Sequence, residues 1–268
     1  MSEPGRPPGR RAARWRPCRS RQALLGLVAL VLAGCAAAPT RPGAPDPVRG
    51  FNKRMFAFNN TMDRLVLKPV SNAYIKVTPK PVRTGVTNFF RNLGYPYVAA
   101  NDLLQGRVQA GVETVDAFFW NTTVGIGGLF DVGGAMGLKP LEQNFGATAG
   151  VWGVNEGAYL VLPLIGPSSL RALPGIPLEI FSSPLYYTNS TGGQVAAKAV
   201  ETVNTRARLR AQIQRVNEAL DPYAFLRSAY RQHQNYLIRG GRESSGQELL
   251  EELNLPPEAP KPAAPPDP

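Results

Sequence analysis

Cys35 is the residue whose type and setting point to chemistry most directly. It closes Leu32-Ala33-Gly34-Cys35 behind a short apolar run and is followed at once by Ala36-Ala37-Ala38-Pro39-Thr40. A cysteine behind small residues at the end of an apolar h-region is the pattern of a bacterial lipoprotein signal, in which the thiol is acylated and the chain is cut just before it. Ala36, rather than Asp, follows the cysteine, so the expected destination is the outer membrane. Other reactive groups are sparse. The single histidine, His233, lies between Gln232 and Gln234 and is expected to be exposed. Gly166-Pro167-Ser168-Ser169 is the nearest approach to a nucleophile elbow and has proline in the wrong place. One histidine and no free thiol leave no zinc cluster and no other metal site, and nothing in the spacing of Asp102, Asp116 and Asp131 pairs them for acid–base work. The glycine-rich stretch from Gly125 to Gly137 has Phe130 where a dinucleotide fingerprint wants glycine, and no Gly-Lys-Ser/Thr follows. These absences predict a protein that is not an enzyme and uses no cofactor.

The positioning elements follow from the rest of the chain. Residues 23 to 31 are apolar but cover only half of the roughly 20 positions that a spanning helix needs. With Arg6, Arg10, Arg11, Arg14, Arg16, Arg19 and Arg21 upstream, residues 1–34 read as a signal peptide. The net charge of +11 falls once this leader is removed, because the leader holds seven of the 30 basic residues and one of the 19 acidic ones. The remaining 23 minus 18, or +5, does not call for nucleic acid. With Cys18 in the leader and Cys35 lipidated, no pair is left for a disulfide. Residues 35–45 read as a tether, 46–240 as one helical domain and 241–268 as a proline-rich disordered tail.

Within the domain, Asp46-Pro47 is expected to cap a first helix carrying the stripe Phe51, Met55, Phe58, Met62 and Leu65. Either the stripe packs on a core, or the helix lies among lipid headgroups with Lys53, Arg54 and Arg64 on phosphates. Pro69 should end this element. Pro79 and Pro81 should open another, a short helix should follow Pro96 and stop at Gly106, and a longer one should carry Val108 to Phe119. Gly146, Gly150, Gly153 and Gly157 are spaced four, three and four, which predicts either a helix with a bare packing groove or a partly irregular segment. Residues 158 to 167 read as a buried or interfacial hairpin. A long helix is expected from Gly193 to Leu220, bearing Arg206, Arg208, Arg210 and Arg215 on a solvated face, and a last helix capped by Asp221-Pro222 should end at Gly240-Gly241.

In chain order, Asp46-Pro47 with Phe51-Asn52, Pro81-x-Arg83-x-Gly85-x-x-Asn88-Phe89-x-x-Asn92-Leu93-x-x-Pro96, Leu104-Gln105-Gly106, Asn121-Thr122-x-x-Gly125-x-Gly127-Gly128-x-x-Asp131, the glycine series from Phe145 to Leu162-Pro163, and Asp221-Pro222-Tyr223 resemble the MlaA (VacJ) outer-membrane lipoproteins. The resemblance runs from about residue 46 to about 240. It implies an all-α fold: a single ring-like helical domain lying in the periplasmic leaflet of the outer membrane, with an amphipathic central channel. It implies removal of mislocalised phospholipids from the outer leaflet, their transfer to a periplasmic lipid-carrier protein, and association with a trimeric porin. Two positions depart from the family pattern, Ala117 where an Arg is expected and Ala172 where an Asp is expected, and an original ion pair between them would make the joint loss mild. The alternative is a structural lipoprotein that scaffolds a porin or envelope complex and moves nothing.

A lipid path needs donors for phosphate and an apolar wall for tails. The glycine segment and the hairpin are expected to line it, with Phe130, Val132, Gly150, Tyr159, Leu160, Leu162 and Leu164 as the wall and channel candidates. Asn121, Thr122, Thr123 and free glycine N–H groups are the expected donors.

Overall fold

The computed structural model describes residues 46–188 and 190–241. The expectations for the leader, Cys35, the tether and the tail beyond residue 241 fall outside that range. The described chain is helical apart from one hairpin. Its elements are α1 (Arg49–Met62), a π-turn (Asp63–Leu67), α2 (Lys68–Val77), α3 (Lys80–Leu104), α4 (Val108–Thr123), α5 (Val132–Ala135), α6 (Phe145–Val151), β1 (Tyr159–Leu162), β2 (Gly166–Ser169), α7 (Gly175–Ser182), a 3-10 turn (Pro184–Tyr187), α8 (Thr191–Arg208), α9 (Arg210–Glu218) and α10 (Pro222–Ile238). The two strands pair antiparallel, with Tyr159 opposite Ser169 and Leu162 opposite Gly166.

Two prolines do not break the chain where their local preference would. Pro69 is absorbed by the π-turn: the Lys68 N–H reaches back five residues to the Asp63 carbonyl, and this widened turn makes room for a ring that would clash with the carbonyl four residues before it. Helix therefore runs from Arg49 through to Val77. Pro96 lies inside the 25-residue α3, where the buried Tyr95, Tyr97, Val98 and Ala99 around it offset a break worth about 3 kcal/mol. α3 forms the spine of the molecule, packing against α4, α6, α7 and α8.

Two further boundaries correct the sequence reading, and another decides between its alternatives. Asp46 does not cap α1. The helix begins at Arg49, and the Asp46 carboxylate instead accepts the Val48 N–H at 3.1 Å, the Asn52 amide and the Tyr223 hydroxyl. Of the two readings of the glycine series the partly irregular one holds, because α6 stops at Val151 while Gly153 and Gly157 take φ of 84° and 69°, values outside any right-handed helix. The long arginine-bearing helix is two: Leu209 interrupts it with ψ near 11°, and α9 begins at Arg210. The cap of α10 is as expected, with Asp221 accepting the Ala224 N–H at 3.0 Å behind Pro222.

Polar and apolar side chains are distributed against the usual soluble pattern. Fully buried positions include Asn52, Ser71, Asn92, Asn101, Asp102, Thr114, Asn121, Thr148 and Asn204, whereas the small apolar core centres on Tyr159, Val161 and Tyr223, flanked by Met55, Phe56 and Tyr230. Large apolar side chains instead cover the outside, among them Leu65, Val77, Val108, Ile126, Phe130, Leu164, Ile165 and Val195, each more than half exposed. Patches of that extent mark contact with lipid or protein rather than water. No helix among the described residues is long and apolar enough to cross a membrane.

Candidate functional site

The hairpin is held by side-chain amides rather than by a third strand. Asn52 Nδ2 donates to the Tyr159 carbonyl at 2.8 Å while its Oδ1 accepts the Val161 N–H at 2.9 Å. Two turns further along α1, Asn59 repeats the pattern on the Leu162 carbonyl, 2.9 Å, and the Leu164 N–H, 2.8 Å. The outer edge of β1 is thus satisfied, and the turn is fixed with Leu164 75% and Ile165 62% exposed. Behind this edge, Tyr159 is buried with its ring 6.1 Å from Tyr223 and 5.7 Å from Tyr230. It belongs to the core, so its expected place on the wall is corrected; Leu160 and Leu162 are half-buried on the opposite face of the strand.

The glycine segment is built on a second amide, Asn121. Its Oδ1 accepts the Gly133 N–H at 2.8 Å and its Nδ2 donates to Asp131 Oδ1 at 3.2 Å, while Asp131 also pairs with Arg91 and accepts the Gly134 N–H. Despite the desolvation that would raise it, the Gly134 N–H and the Arg91 guanidinium hold the Asp131 carboxyl below its ordinary value. Gly128 is locked in place as well, since a Cβ there would lie 2.6 Å from that of Asn92. Most of the donors expected for a phosphate are already committed, while the exposed Thr122 hydroxyl accepts from Asn92 Nδ2 at 2.8 Å. Asn121 serves Asp131, Thr123 donates to the Phe119 carbonyl at 2.7 Å, and the N–H groups of Gly127 and Gly128 bond to the carbonyls of Thr122 and Asn121. What the segment offers outward is apolar: Ile126, Leu129 and Phe130, with Val132 half-buried behind them.

Ile126 and Leu164 are the positive-φ non-glycine residues among those described, at 53° and 63°. Each is a bulky apolar side chain at the tip of a loop, 65% and 75% exposed. Holding such a residue in the left-handed region costs on the order of 1 kcal/mol or more, and burial within the chain does not repay it. The two tips are not joined. The hairpin packs on α1 and α10, and the glycine segment on α3 and α4. Gly150 faces neither, for a Cβ there would lie 2.5 Å from Ile238 Cδ1 and 3.1 Å from Arg171 Cζ; its bare face is filled by α10 and Arg171 rather than left as a groove.

Two cavities accompany these surfaces. One of about 290 Å³ lies among α3, α7, the 3-10 turn and α8, with Phe90, Leu93, Tyr97, Ile180, Leu185 and Tyr186 in its wall. The other, of about 700 Å³, lies between the π-turn and the α8–α9 bend and takes Arg64, Lys68, Arg206 and Arg210 into its lining with Asp63 and Glu218. Arg206 reaches Asp63 with two bonds of 2.8 and 3.0 Å. The sequence reading placed Arg206 and Arg210 on a solvated face and did not connect them with Lys68. Part of the signal was present: Arg64 and Lys68 stand four residues apart on one helical face, whereas Arg206 and Arg210 lie on either side of the break at Leu209.

The two departures sit in tight places. Ala117 is fully buried, and a Cβ on Gly133 would lie 3.0 Å from its Cα; Ala172 touches the corresponding position of Gly146 at 2.9 Å. One packs against α5 and the other against α6. His233 is exposed and stacks on Tyr236.

A family model described as MlaA lipoprotein matches residues 44–237. The chain is 35% identical over 226 residues to the Escherichia coli K12 intermembrane phospholipid transport system lipoprotein MlaA, covering 82% of this chain and 90% of that protein. It is 28% identical over 240 residues to the Haemophilus influenzae protein of the same name, covering 85% and 96%. An uncharacterized Rickettsia bellii protein is 36% identical over 189 residues, covering 70% and 74%. A solved chain from work on the structural basis for maintenance of bacterial outer membrane lipid asymmetry superposes with a TM-score of 0.65 at 35% identity, covering 72% of this chain and 99% of that one.

Proposed function

Because the chain belongs to the MlaA lipoprotein family, we propose that it takes misplaced phospholipid out of the outer leaflet of the outer membrane and passes it to a periplasmic carrier, without chemical change to the lipid. It is an outer-membrane lipoprotein of phospholipid transport that serves lipid asymmetry. The finer parts of the proposal are a ring-like domain over residues 46–240 in the periplasmic leaflet, acylation at Cys35, and a trimeric porin as neighbour. The observation that carries the reading is the reversed distribution of side chains: buried Asn, Thr and Asp inside, and exposed Leu, Val, Ile and Phe outside. Water would penalise such a surface at about 25 cal/mol per Å² of apolar area, and an acyl layer would not. The buried amides hold that outer surface in place, Asn52 and Asn59 the hairpin and Asn121 the glycine segment.

The strained tips at Ile126 and Leu164 and the wall residues Phe130, Val132, Leu160 and Leu162 supply apolar surface for the tails on this reading. Gly150 and Tyr159 position the wall from behind. The test is to remove the gene from its host and return it as wild type or as Cys35→Ser. Loss should let phospholipid accumulate where a phospholipase added outside the cell can digest it; the wild-type chain should reverse this, and Cys35→Ser should take up no labelled fatty acid and fail to reverse it. Unchanged surface phospholipid in the deletion strain would favour a scaffold that moves nothing.

A further inference from the structure

The larger cavity carries charge that the fold itself does not use. Of its four cations, Arg206 is neutralised by the bidentate contact with Asp63, while Arg64, Lys68 and Arg210 have no carboxylate partner among the described residues. Of its two carboxylates, Glu218 is left, and its Oε1 accepts Gln214 Nε2 at 2.7 Å. Three cations facing one carboxylate across a shared space repel one another unless an anion sits between them. The remaining lining is Asn60, Asn72, Asn217 and Thr61, with little apolar contribution beyond Ala57 and Ile213. That lining suits hydroxyls and phosphate oxygens and is a poor host for an acyl chain.

We infer that this cavity holds the headgroup of a phospholipid bearing net negative charge, in preference to a zwitterionic one. The inference rests on the lipid-transport reading and adds selectivity to it. A volume near 700 Å³ falls within the range of small-molecule sites and accommodates a glycerophosphoryl headgroup. An amphiphile, rather than free phosphate, is indicated by what borders the cations. The same turns that present Arg64 and Lys68 also present Leu65, Val66 and Val70, exposed by 63%, 51% and 46%. Cations next to bare apolar side chains match a phosphodiester joined to its tails.

Headgroup selectivity follows from the charge count. A phosphodiester offsets one cation and Glu218 a second, so a headgroup ammonium would still face a net positive charge; an uncharged glycerol in its place meets Asn60, Asn72 and Asn217. The π-turn is part of the device, because its extra residue sets the helical phase on which both Arg64 and Lys68 reach the cavity opposite Arg210.

The test uses the full-length lipoprotein extracted from membranes in mild detergent, with bound phospholipid measured by mass spectrometry. Relative to the membrane extract, wild type should enrich phosphatidylglycerol over phosphatidylethanolamine about fivefold, which is about 1 kcal/mol at 1.4 kcal/mol per tenfold. Arg64→Gln/Lys68→Gln/Arg210→Gln alters three exposed side chains and should bring the ratio down to that of the extract with an unchanged circular dichroism spectrum. Lys76→Gln/Lys80→Gln/Lys139→Gln, which removes the same charge elsewhere, should keep the enrichment. Wild type carrying phospholipid without enrichment overturns the inference alone. So does a triple variant that retains the ratio, whether the cavity then proves to take inorganic phosphate in a titration or the acidic face of a protein. Wild type carrying no phospholipid of any kind takes down the transport reading and this inference together.

Discussion

At Asn52 both ends of one side-chain amide are spent on the β1 backbone, and the neighbouring carboxylate of Asp46 takes a second bond from its Nδ2. Asn52→Ala would leave the Tyr159 carbonyl and the Val161 N–H buried and unpaired, so it should lower unfolding stability by about 2–4 kcal/mol. A denaturant midpoint shifted by less than the equivalent of about 1 kcal/mol would contradict that role. Asp102 is the opposite case, a buried carboxyl that the fold tolerates at a cost. Desolvation pushes it up to about 6 against the weaker pull of the Thr114 hydroxyl and Arg107. A raised folded-state value means that its contribution to stability is fully present below the ordinary carboxylate range, near pH 4, and is lost as pH rises through about 6. Asp102→Asn should therefore be more stable than wild type at pH 7, by about 3 kcal/mol at most, and should lack the fall between pH 4 and 6. Equal pH profiles for the two proteins would rule this out. Neither residue was legible in the apolar stripes of the sequence. Asn52, Met55, Phe56 and Asn59 face inward from α1, whereas of the stripe that periodicity selects Phe51, Phe58 and Leu65 are exposed, Met62 is half-buried and Met55 alone packs on the core.

Elements, by contrast, were legible wherever local chemistry decided them. Asp221-Pro222 starts α10, α4 covers Val108 to Thr123, and the hairpin turns between Leu162 and Gly166, with Pro163 in the turn. The two proline misses have different causes: tertiary burial outweighs the local breaker at Pro96, and a widened turn absorbs the one at Pro69. The glycine period at 146, 150, 153 and 157 left a grooved helix and a partly irregular segment both open, and the second holds. Two of these glycines serve close packing within a short helix, and two supply left-handed backbone after it. Gly150→Leu should accordingly act on stability rather than on an open groove. It drives side-chain atoms into Ile238 and Arg171, and overpacking of this kind costs about 1–3 kcal/mol, readable as a lower melting temperature. A variant with unchanged melting temperature would mean that the α6–α10 contact yields freely. At the hairpin tip the expectation is reversed. Leu164→Asn suits φ near 63° better than leucine does, so it should raise the melting temperature slightly while weakening binding of the chain to phospholipid vesicles; equal vesicle binding would remove the tip from the lipid contact.

For the whole molecule, composition said little until the leader was set aside, and even then hydropathy gave no spanning segment. The reason is physical. The apolar surface of this fold is assembled from single exposed side chains on many short elements, and its interior from single buried amides, so no window of sequence carries the pattern. Only the order of motifs along the chain pointed to it before the coordinates did. The account stands on lipid lying against the two apolar tips. A photo-reactive benzoylphenylalanine substituted at Phe130 or at Leu164, with one at the exposed polar Gln232 of α10 as reference, tests this in intact cells. The account predicts phospholipid crosslinks at positions 130 and 164 and none above background at 232, and crosslinks to protein alone at both tips would contradict it.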